Sequence, residues 1–313
     1  MIGAIIGDIV GSRFEFNNTN RKDFKLFTKD CDFTDDTICT VAVADAILRD
    51  VSFKDSLLHW CAKYPNPMGA YGGSFSAWLR SPIHEPYNSF GNGSAMRVSP
   101  CAFAARSDAE AIRLAYDSAA CTHNHAEGVI GAVVTVRVIR EIQHCVMCHN
   151  SEVMAKNHAA NIISTYYGED WYKHLPVRCF FDVTCQGCVP LAVSIIMESD
   201  SFEDAIRNAV AYGGDSDTLA AIVGSMAEAL WGVPEELKAQ AFTYLPDEMK
   251  QVVNQFYSMI CRLNYIQRGS YSKLLYSYWC NNSEHSISTE AKILKLEKAG
   301  ILSPRYNYKD DAK

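Results

Sequence analysis

Two short acidic stretches carry side chains that could hold a divalent cation. The first is "FTDDT", with Thr34, Asp35 and Asp36, and the second is "GGDSDT", with Asp215, Asp217 and Thr218. Carboxylate and hydroxyl oxygens suit Mg²⁺, Mn²⁺ or Ca²⁺ better than Zn²⁺, which prefers histidine and cysteine. Together the two stretches offer enough oxygen ligands for two ions that share a bridging aspartate.

Helix capping is the alternative interpretation, because both stretches precede an apolar periodic run. Thr34 or Asp35 is placed to cap the following helix, and an acid in a first turn is favoured by about 0.3–1 kcal/mol. One carboxylate would satisfy this need, whereas adjacent Asp35 and Asp36 repel each other unless a cation intervenes. On spacing alone, a metal site and a pair of helix caps stay equally open.

Two further segments resemble parts of binding sites. Glu15 lies between Phe14 and Phe16, and apolar surroundings raise a carboxyl pKa toward values useful for acid–base chemistry. A solvated loop glutamate is the other interpretation. Residues 64–100 are dense in glycine, proline, asparagine and serine. A loop of this length is typical of a ligand-binding segment, with a surface excursion as the alternative.

Helical periodicity dominates the elements that must position these residues, and alternating strand patterns are scarce. The predicted helices cover residues 37–48, 74–79, 109–120, 127–142, 189–197, 202–211, 218–230 and 234–242. Gly3, Gly7 and Gly11 recur every fourth residue, which places them on one helix face for close packing. A helix beginning at His125 or Ala126 would leave His123 in the loop at its mouth. The pattern predicts a compact all-α bundle.

Composition excludes several classes of protein. The 313 residues are 48% hydrophobic, with a net charge of -7, and no basic run could coat a nucleic acid. No apolar run reaches the roughly 18 residues of a membrane span. The N-terminal "MIGAIIGDIVGS" lacks a basic region and contains Asp8, so it is a poor signal peptide. We therefore expect a cytoplasmic protein with reduced thiols.

Two cysteine pairs have motif spacing. Cys145-Val-Met-Cys148-His149 fits the bare haem-attachment pattern, and with Cys185-Gln-Gly-Cys188 it could complete a zinc site. The gap between the pairs is wide for a zinc module, and the N-terminus offers no export route for haem attachment. Buried or incidental thiols are the favoured interpretation.

Seven ordered blocks resemble bacterial members of the ADP-ribosylglycohydrolase family, the group named for the dinitrogenase-reductase-activating glycohydrolase. The blocks are "GAIIGDIVGSRFEF", "FTDDT", "YGGSFSAWL", "PYNSFGNGSAMRVSP", "THNHAEGVIGA", "FDVTCQGCVPLA" and "FEDAIRNAVAYGGDSDTLAAIVGSMAEALWG". They span roughly residues 1–256. Their order makes the resemblance specific, whereas any single block would be weak.

The resemblance implies an all-α fold with a binuclear metal site at the base of a cleft. It implies a hydrolase that releases ADP-ribose from a modified protein, most characteristically from arginine through an N-glycosyl bond. Serine, a nucleobase or an O-acyl group could replace arginine as the acceptor, so a nucleic acid enters only as a modified substrate. A protein that binds ADP-ribose or a partner without turnover is the alternative of a different class. We expect a monomer.

The resemblance also implies roles for individual residues. The ligands of two Mg²⁺ or Mn²⁺ ions would be Thr34, Asp35, Asp36, Asp215, Asp217 and Thr218. Glu15 falls near the scissile ribose, and Asp36 is the candidate proton acceptor. The residues that contact ADP-ribose would be Gly91, Asn92, Gly93, Ser94, Met96, Arg97 and His123. The catalytic domain would cover residues 1–261, leaving an extension, residues 262–313, with an amphipathic helix at 288–299.

Overall fold

The computed structural model describes residues 1–270, with side chains described up to residue 261. The chain divides into two compact units, Met1–Asn264 and Tyr265–Lys313. The predicted helix at 288–299 lies outside the described residues. None of the described helices combines the length and the apolar character that crossing a membrane requires.

Every regular element in the described residues is helical, so the all-α prediction is confirmed. The helices are α1 (Ile2–Gly11), α2 (Asp35–Arg49), α3 (Phe53–Lys63), α4 (Gly73–Arg80), α5 (Gly93–Met96), α6 (Ser99–Ala104), α7 (Asp108–Ala120), α8 (Ala126–Met147), α9 (Glu152–Tyr167), α10 (Cys185–Glu198), α11 (Phe202–Tyr212), α12 (Ser216–Trp231), α13 (Glu235–Phe242) and α14 (Asp247–Ser270). Short 3₁₀ turns occur at Ser12–Phe14 and Trp171–His174.

Helices α1 and α12 pack along each other at very short range, as the glycine spacing predicts. A methyl group on Gly7 would lie 2.0 Å from the backbone oxygen of Ala220, and one on Gly3 would lie 2.1 Å from that of Gly224. Both helices are buried over most of their length. This contact sets Asp8 of α1 beside the start of α12, and it therefore positions part of the site.

The helices α3, α5, α6, α9 and α14 were not predicted, and among them α9 has a weak periodic signal in the sequence. In α9 the buried positions are Ala155, Ala159 and Ile163, which recur every fourth residue. Two of these are alanines, so the buried stripe differs little in hydrophobicity from its surroundings. Of the two cap candidates for α2, Thr34 is the N-cap, and its side chain accepts a backbone N–H bond. Helix α8 begins at Ala126, within the predicted start at His125 or Ala126, and the His125 side chain caps it, which was not predicted.

Candidate active site and metal centre

Buried carboxylates converge where α1, α2 and α12 meet. Ligand atoms of Asp8, Asp36 and Asp217 lie within 4.8 Å of one another, as do those of Glu15, Asp215 and Asp217. Asp217 belongs to both groups. With Asp35, these residues form what we call the acidic centre: Asp8, Glu15, Asp35, Asp36, Asp215 and Asp217. Two overlapping groups joined by one aspartate are the arrangement that two bridged cations require.

The start of α2 is held by a carboxylate from another helix. Asp8 accepts hydrogen bonds from the backbone N–H groups of Thr34 and Thr37, each at 3.0 Å, and from the Thr34 hydroxyl at 2.7 Å. The Thr34 hydroxyl also accepts from the backbone N–H of Asp36 at 3.2 Å. Asp8 and Thr34 therefore accept hydrogen bonds from N–H groups at this helix end that have no partner within the helix. The carboxylates of Asp35 and Asp36 are not needed as caps.

At the start of α12, as at the start of α2, the acidic side chains do not cap the helix. Asp215 is the N-cap residue, yet its side chain makes no capping hydrogen bond. Instead Asp215 accepts a hydrogen bond of 2.7 Å from the side-chain amide of Asn92. Thr218 donates to Asp36 at 3.0 Å and so links α12 to α2. The twin-cap interpretation accordingly explains neither the Asp215 carboxylate nor the Asp36 carboxylate.

Burial disfavours ionisation throughout the acidic centre, and repulsion from neighbouring carboxylates adds to it at Glu15, Asp35, Asp36 and Asp217. Burial raises the pKa of Asp8 to about 6, and burial together with the charges of Asp215 and Asp8 raises that of Glu15 to about 7. The pKa values of Asp36 and Asp217 rise well above their usual range, mainly through burial and then through neighbouring carboxylates. A compensating positive charge would relieve this cost.

Unpaired oxygens test whether cations fit here. Among the described side chains, Asp36 Oδ1 and Asp217 Oδ1 are buried and have no hydrogen-bond partner. A buried polar atom without a partner is costly, and in a group of carboxylates a bound cation supplies the partner. The acidic centre therefore fits a divalent cation with oxygen ligands, such as Mg²⁺ or Mn²⁺.

Asp35 and Thr34 depart somewhat from the predicted ligand set. Asp35 is partly exposed and belongs to neither of the two tight carboxylate groups. Burial of its carboxyl and the charge of Asp8 nonetheless raise its pKa well above the usual range. The Thr34 hydroxyl already has a donor and an acceptor partner within the protein. Both residues lie at the centre, but less directly than Asp36, Asp215 and Asp217.

Residues 91–96, which we call the glycine-rich segment, form one wall beside the acidic centre. Asn92 bonds Asp215, and its backbone N–H donates to the carbonyl of Val183 at 2.7 Å. The His123 ring lies against this segment, with Nε2 3.1 Å from the position of a methyl group on Gly93. The Ser94 hydroxyl donates to the carbonyl of Gly128 at 2.7 Å. Gly91, Gly93 and Met96 belong to the same turn and short helix α5.

The Arg97 side chain is buried and makes its hydrogen bonds to other protein groups. Its exposed fraction is 1%, and Nη2 donates to the Ser118 carbonyl and the Thr122 hydroxyl, each at 2.7 Å. Thr122 in turn contacts His123 Nδ1 at 2.7 Å. Burial, followed by the charge of Arg97, holds the pKa of His123 well below its usual range. In this arrangement Arg97 braces the loop that carries His123.

Glu15 lies at the rim of the acidic centre in a loop that neighbouring residues restrain. A methyl group on Gly69 would lie 2.5 Å from Glu15 Oε2, and Gly69 has a positive φ of 77°. The side-chain amide of Asn18 accepts from the N–H of Gly214 at 2.8 Å and donates to its carbonyl at 3.0 Å. Asn18 thereby ties the Glu15 loop to the loop that precedes Asp215. Phe16 stacks on Phe181 with ring centroids 5.9 Å apart.

Sequence reasoning did not assign Asp8, Asn18 or Gly69 to the site. Asp8 directly follows Gly7, which lies on the glycine face of α1. An acidic residue next to a glycine that packs against another helix was the signal that could have assigned Asp8 to the site. Asn18 and Gly69 become relevant only because distant loops meet, and their spacing gave no indication.

The comparisons with known proteins agree with this geometry. The family model described as ADP-ribosylglycohydrolase matches residues 1–264. The chain belongs to this family. It is 23% identical to the zebrafish (Danio rerio) protein named ADP-ribosylhydrolase ARH3 over 342 aligned residues, covering 83% of this chain and 90% of that protein. A solved structure titled ADP-ribosylglycohydrolase-related protein complex has the same fold, with a TM-score of 0.61 and 19% identity over 83% of this chain and 97% of that chain.

Family membership supports ADP-ribosyl hydrolysis as the general activity. The acidic groups found at the centre could bind the metal ions that the resemblance implies.

Proposed function

We propose that this ADP-ribosylglycohydrolase-family member cleaves the glycosidic bond between ADP-ribose and a modified protein side chain, with arginine as the acceptor, and that it depends on two divalent cations. The observation that carries the metal dependence is the pair of buried, unpartnered oxygens on Asp36 and Asp217 within overlapping carboxylate groups. Neither oxygen is accounted for by helix capping.

Each group of residues has a separate task in the proposed reaction. Asp36, Asp215 and Asp217 would hold the cations with Asp8, Thr218, Thr34 and Asp35 around them. When bound, the cations would neutralise the carboxylates and polarise ribose hydroxyls and water. Cleavage of the glycosidic bond passes through an oxocarbenium-like state, so the protein must fix the ribose and direct a water molecule.

Chain groups supply the positioning and the proton transfer. Asp36 would accept the proton of the attacking water. Glu15, at the partly exposed rim, would meet the acceptor side of the bond, where an acidic group also suits a guanidinium. The turn at Gly91–Gly93 would lie against the diphosphate, with His123 packed behind it. The backbone N–H groups of Gly91 and Asn92 already donate to Ser89 and Val183, so the group offered to the diphosphate would be the N–H of Gly93.

A panel of defined substrates tests the proposal. Peptides carrying ADP-ribose on arginine or serine, an ADP-ribosylated nucleobase and O-acyl-ADP-ribose are incubated with protein and Mg²⁺ or Mn²⁺, and free ADP-ribose is measured. We expect release from the arginine peptide and loss of that release on chelation, with recovery when metal is restored. Release only from another substrate would reject arginine. Binding of ADP-ribose without release from any substrate would reject the enzyme assignment.

A further inference from the structure

A second group of metal-type ligands lies between α8 and α9. Glu141 and Cys145 are one turn apart on α8, and His158 faces them from α9. His158 Nδ1 lies 2.7 Å from Glu141 Oε1 and 3.8 Å from Cys145 Sγ, and Cys145 Sγ lies 4.0 Å from Glu141 Oε1. Their ligand atoms therefore converge on one point between the helices.

The chemistry of this group differs from that of the acidic centre. Thiolate, imidazole and carboxylate together suit Zn²⁺, whereas hard cations such as Mg²⁺ prefer oxygen ligands alone. A tetrahedral Zn²⁺ separates such ligand atoms by roughly 3.3–3.6 Å, given its usual bond lengths. The observed separations of 2.7, 3.8 and 4.0 Å bracket this range, so Zn²⁺ binding would require small rotations of the His158 and Glu141 side chains.

Access and rigidity also favour a metal site. Cys145 is buried, while the side chains of Glu141 and His158 are 30% and 38% exposed, which leaves an entry path from solvent. Helical spacing holds Glu141 above Cys145 on one face of α8. Three protein ligands would leave a fourth position for water or for exposed Cys148, which follows α8 as its C-cap residue.

The position of the other cysteine pair changes the interpretation of the sequence motif. Cys185 and Cys188 contact the glycine-rich segment, with Cys185 Sγ 3.1 Å from the Gly91 carbonyl and Cys188 Sγ 3.3 Å from the Asn92 amide. They belong to the wall of the candidate active site. Cys145 is thus paired with His158 and Glu141 in space, and the four-cysteine zinc arrangement considered from sequence is not formed.

We propose that Glu141, Cys145 and His158 bind one Zn²⁺ ion, which ties α8 to α9 independently of the proposed hydrolase function. Along α8, Glu141 lies about 20 Å from Gly128, which borders the loop of His123, at about 1.5 Å per residue. Cations in the acidic centre and Zn²⁺ at this site therefore bind separately.

Cobalt titration of the reduced full-length protein tests this site. Excess Mg²⁺ first occupies the acidic centre, and Co²⁺ is then added while the thiolate-to-cobalt charge-transfer absorption is recorded. We expect one equivalent of Co²⁺ to produce the band and Zn²⁺ to abolish it by displacement. Cys145→Ser should remove the band, and His158→Ala should weaken binding by at least about 10-fold. Cys261→Ser, at an exposed cysteine on α14, should leave both unchanged.

The results separate a metal site from a simple hydrogen-bonded pair. Absence of the band in the wild type, or its persistence in Cys145→Ser, would overturn the proposal. Equal Co²⁺ affinity in the wild type and in His158→Ala would also overturn it. Because His158 is partly exposed, this variant should retain the fold, which circular dichroism checks. None of these readouts depends on hydrolase activity, so failure of the proposed function would not affect them.

Discussion

At the scale of single residues, Asp36 and Asp217 combine burial, neighbouring negative charge and an oxygen without a partner. A buried carboxylate with a purely structural role would have its oxygens satisfied by the protein, as those of Asp8 are by Thr34 and Thr37. Replacing the carboxylate by an amide of the same shape therefore separates the two roles.

Asp217→Asn should weaken Mn²⁺ binding by at least about 10-fold, because a shared carboxylate ligand is lost. The same change should stabilise the metal-free protein by about 0.5–2 kcal/mol, since it removes one of several repelling buried charges. Calorimetric titration with Mn²⁺ and chemical denaturation in chelator measure the two effects. Asp170→Asn, at a side chain that is 62% exposed, is the matched control and should change neither. Destabilisation of the metal-free Asp217→Asn protein would indicate a structural role instead.

Asn18 connects two loops through its side-chain amide, and its replacement should affect hydrolysis more than folding. Asn18→Ala removes both bonds to Gly214 and frees the Glu15 loop from the loop before Asp215. We expect a loss of about 1–3 kcal/mol in stability and at least a 10-fold fall in turnover by the folded fraction.

Asn208→Ala provides the comparison for Asn18. Asn208 also makes paired side-chain bonds, to Ser199 and Asp204, but on α11 rather than in the Glu15 loop. Its replacement should lower stability while turnover of the folded protein stays at the wild-type value. Equal turnover in the two variants would contradict a positioning role for Asn18.

At the scale of helices, the contact between α1 and α12 fixes the acidic centre. A methyl group at Gly7 would meet the Ala220 carbonyl oxygen at 2.0 Å and its carbon at 2.3 Å. These are backbone atoms inside a helix, so they cannot move aside as a flexible side chain would. The two helices would have to separate, and Asp8 would move with α1.

Gly7→Ala should therefore destabilise the protein by about 3 kcal/mol or more and weaken Mn²⁺ binding. Gly73→Ala is the control. Gly73 is the first residue of helix α4, and a methyl group there would have no atom within 4 Å. That substitution should be neutral or stabilise by up to about 1 kcal/mol. Urea denaturation midpoints give both values. Equal unfolding midpoints for the two variants would show that the close contact between α1 and α12 does not determine stability at Gly7.

At the scale of the whole molecule, we expect the acidic centre to make stability depend jointly on pH and metal. Folding raises the pKa of Asp8 to about 6 and that of Glu15 to about 7, above their ordinary values. Between the unfolded and folded pKa values, the folded state binds more protons than the unfolded state. These groups therefore destabilise the metal-free protein progressively as the pH rises from about 4 to about 7.

Added Mg²⁺ should raise the melting temperature more at about pH 8 than at about pH 5, because it binds the ionised carboxylates and competes with protons. Melting curves in chelator and in excess Mg²⁺, taken across this range, give the increment. Asp217→Asn should show a smaller increment at every pH. An increment in the wild type that does not change with pH would contradict a carboxylate-based site.

The sequence alone was enough to predict the helical class, the close glycine face of α1, the helix starts at Thr34 and His125, and the family resemblance. These features depend on local spacing, capping chemistry and ordered motifs, which survive without knowledge of long-range contacts. The same local signals missed α9, because its buried stripe is largely alanine.

Tertiary structure alone decided which of the polar groups meet. Asp8 and Asp217 are neighbours because the glycine face of α1 approaches α12 closely, and Asn18 and Gly69 reach the site through loops distant in sequence. The carboxylates of "FTDDT" and "GGDSDT" could have been helix caps on spacing alone. In the structure Asp8 and Thr34 cap α2, and the Asp215 side chain makes no capping bond to α12. Spacing fixes which side chains share a helix face, whereas packing between helices determines their partners.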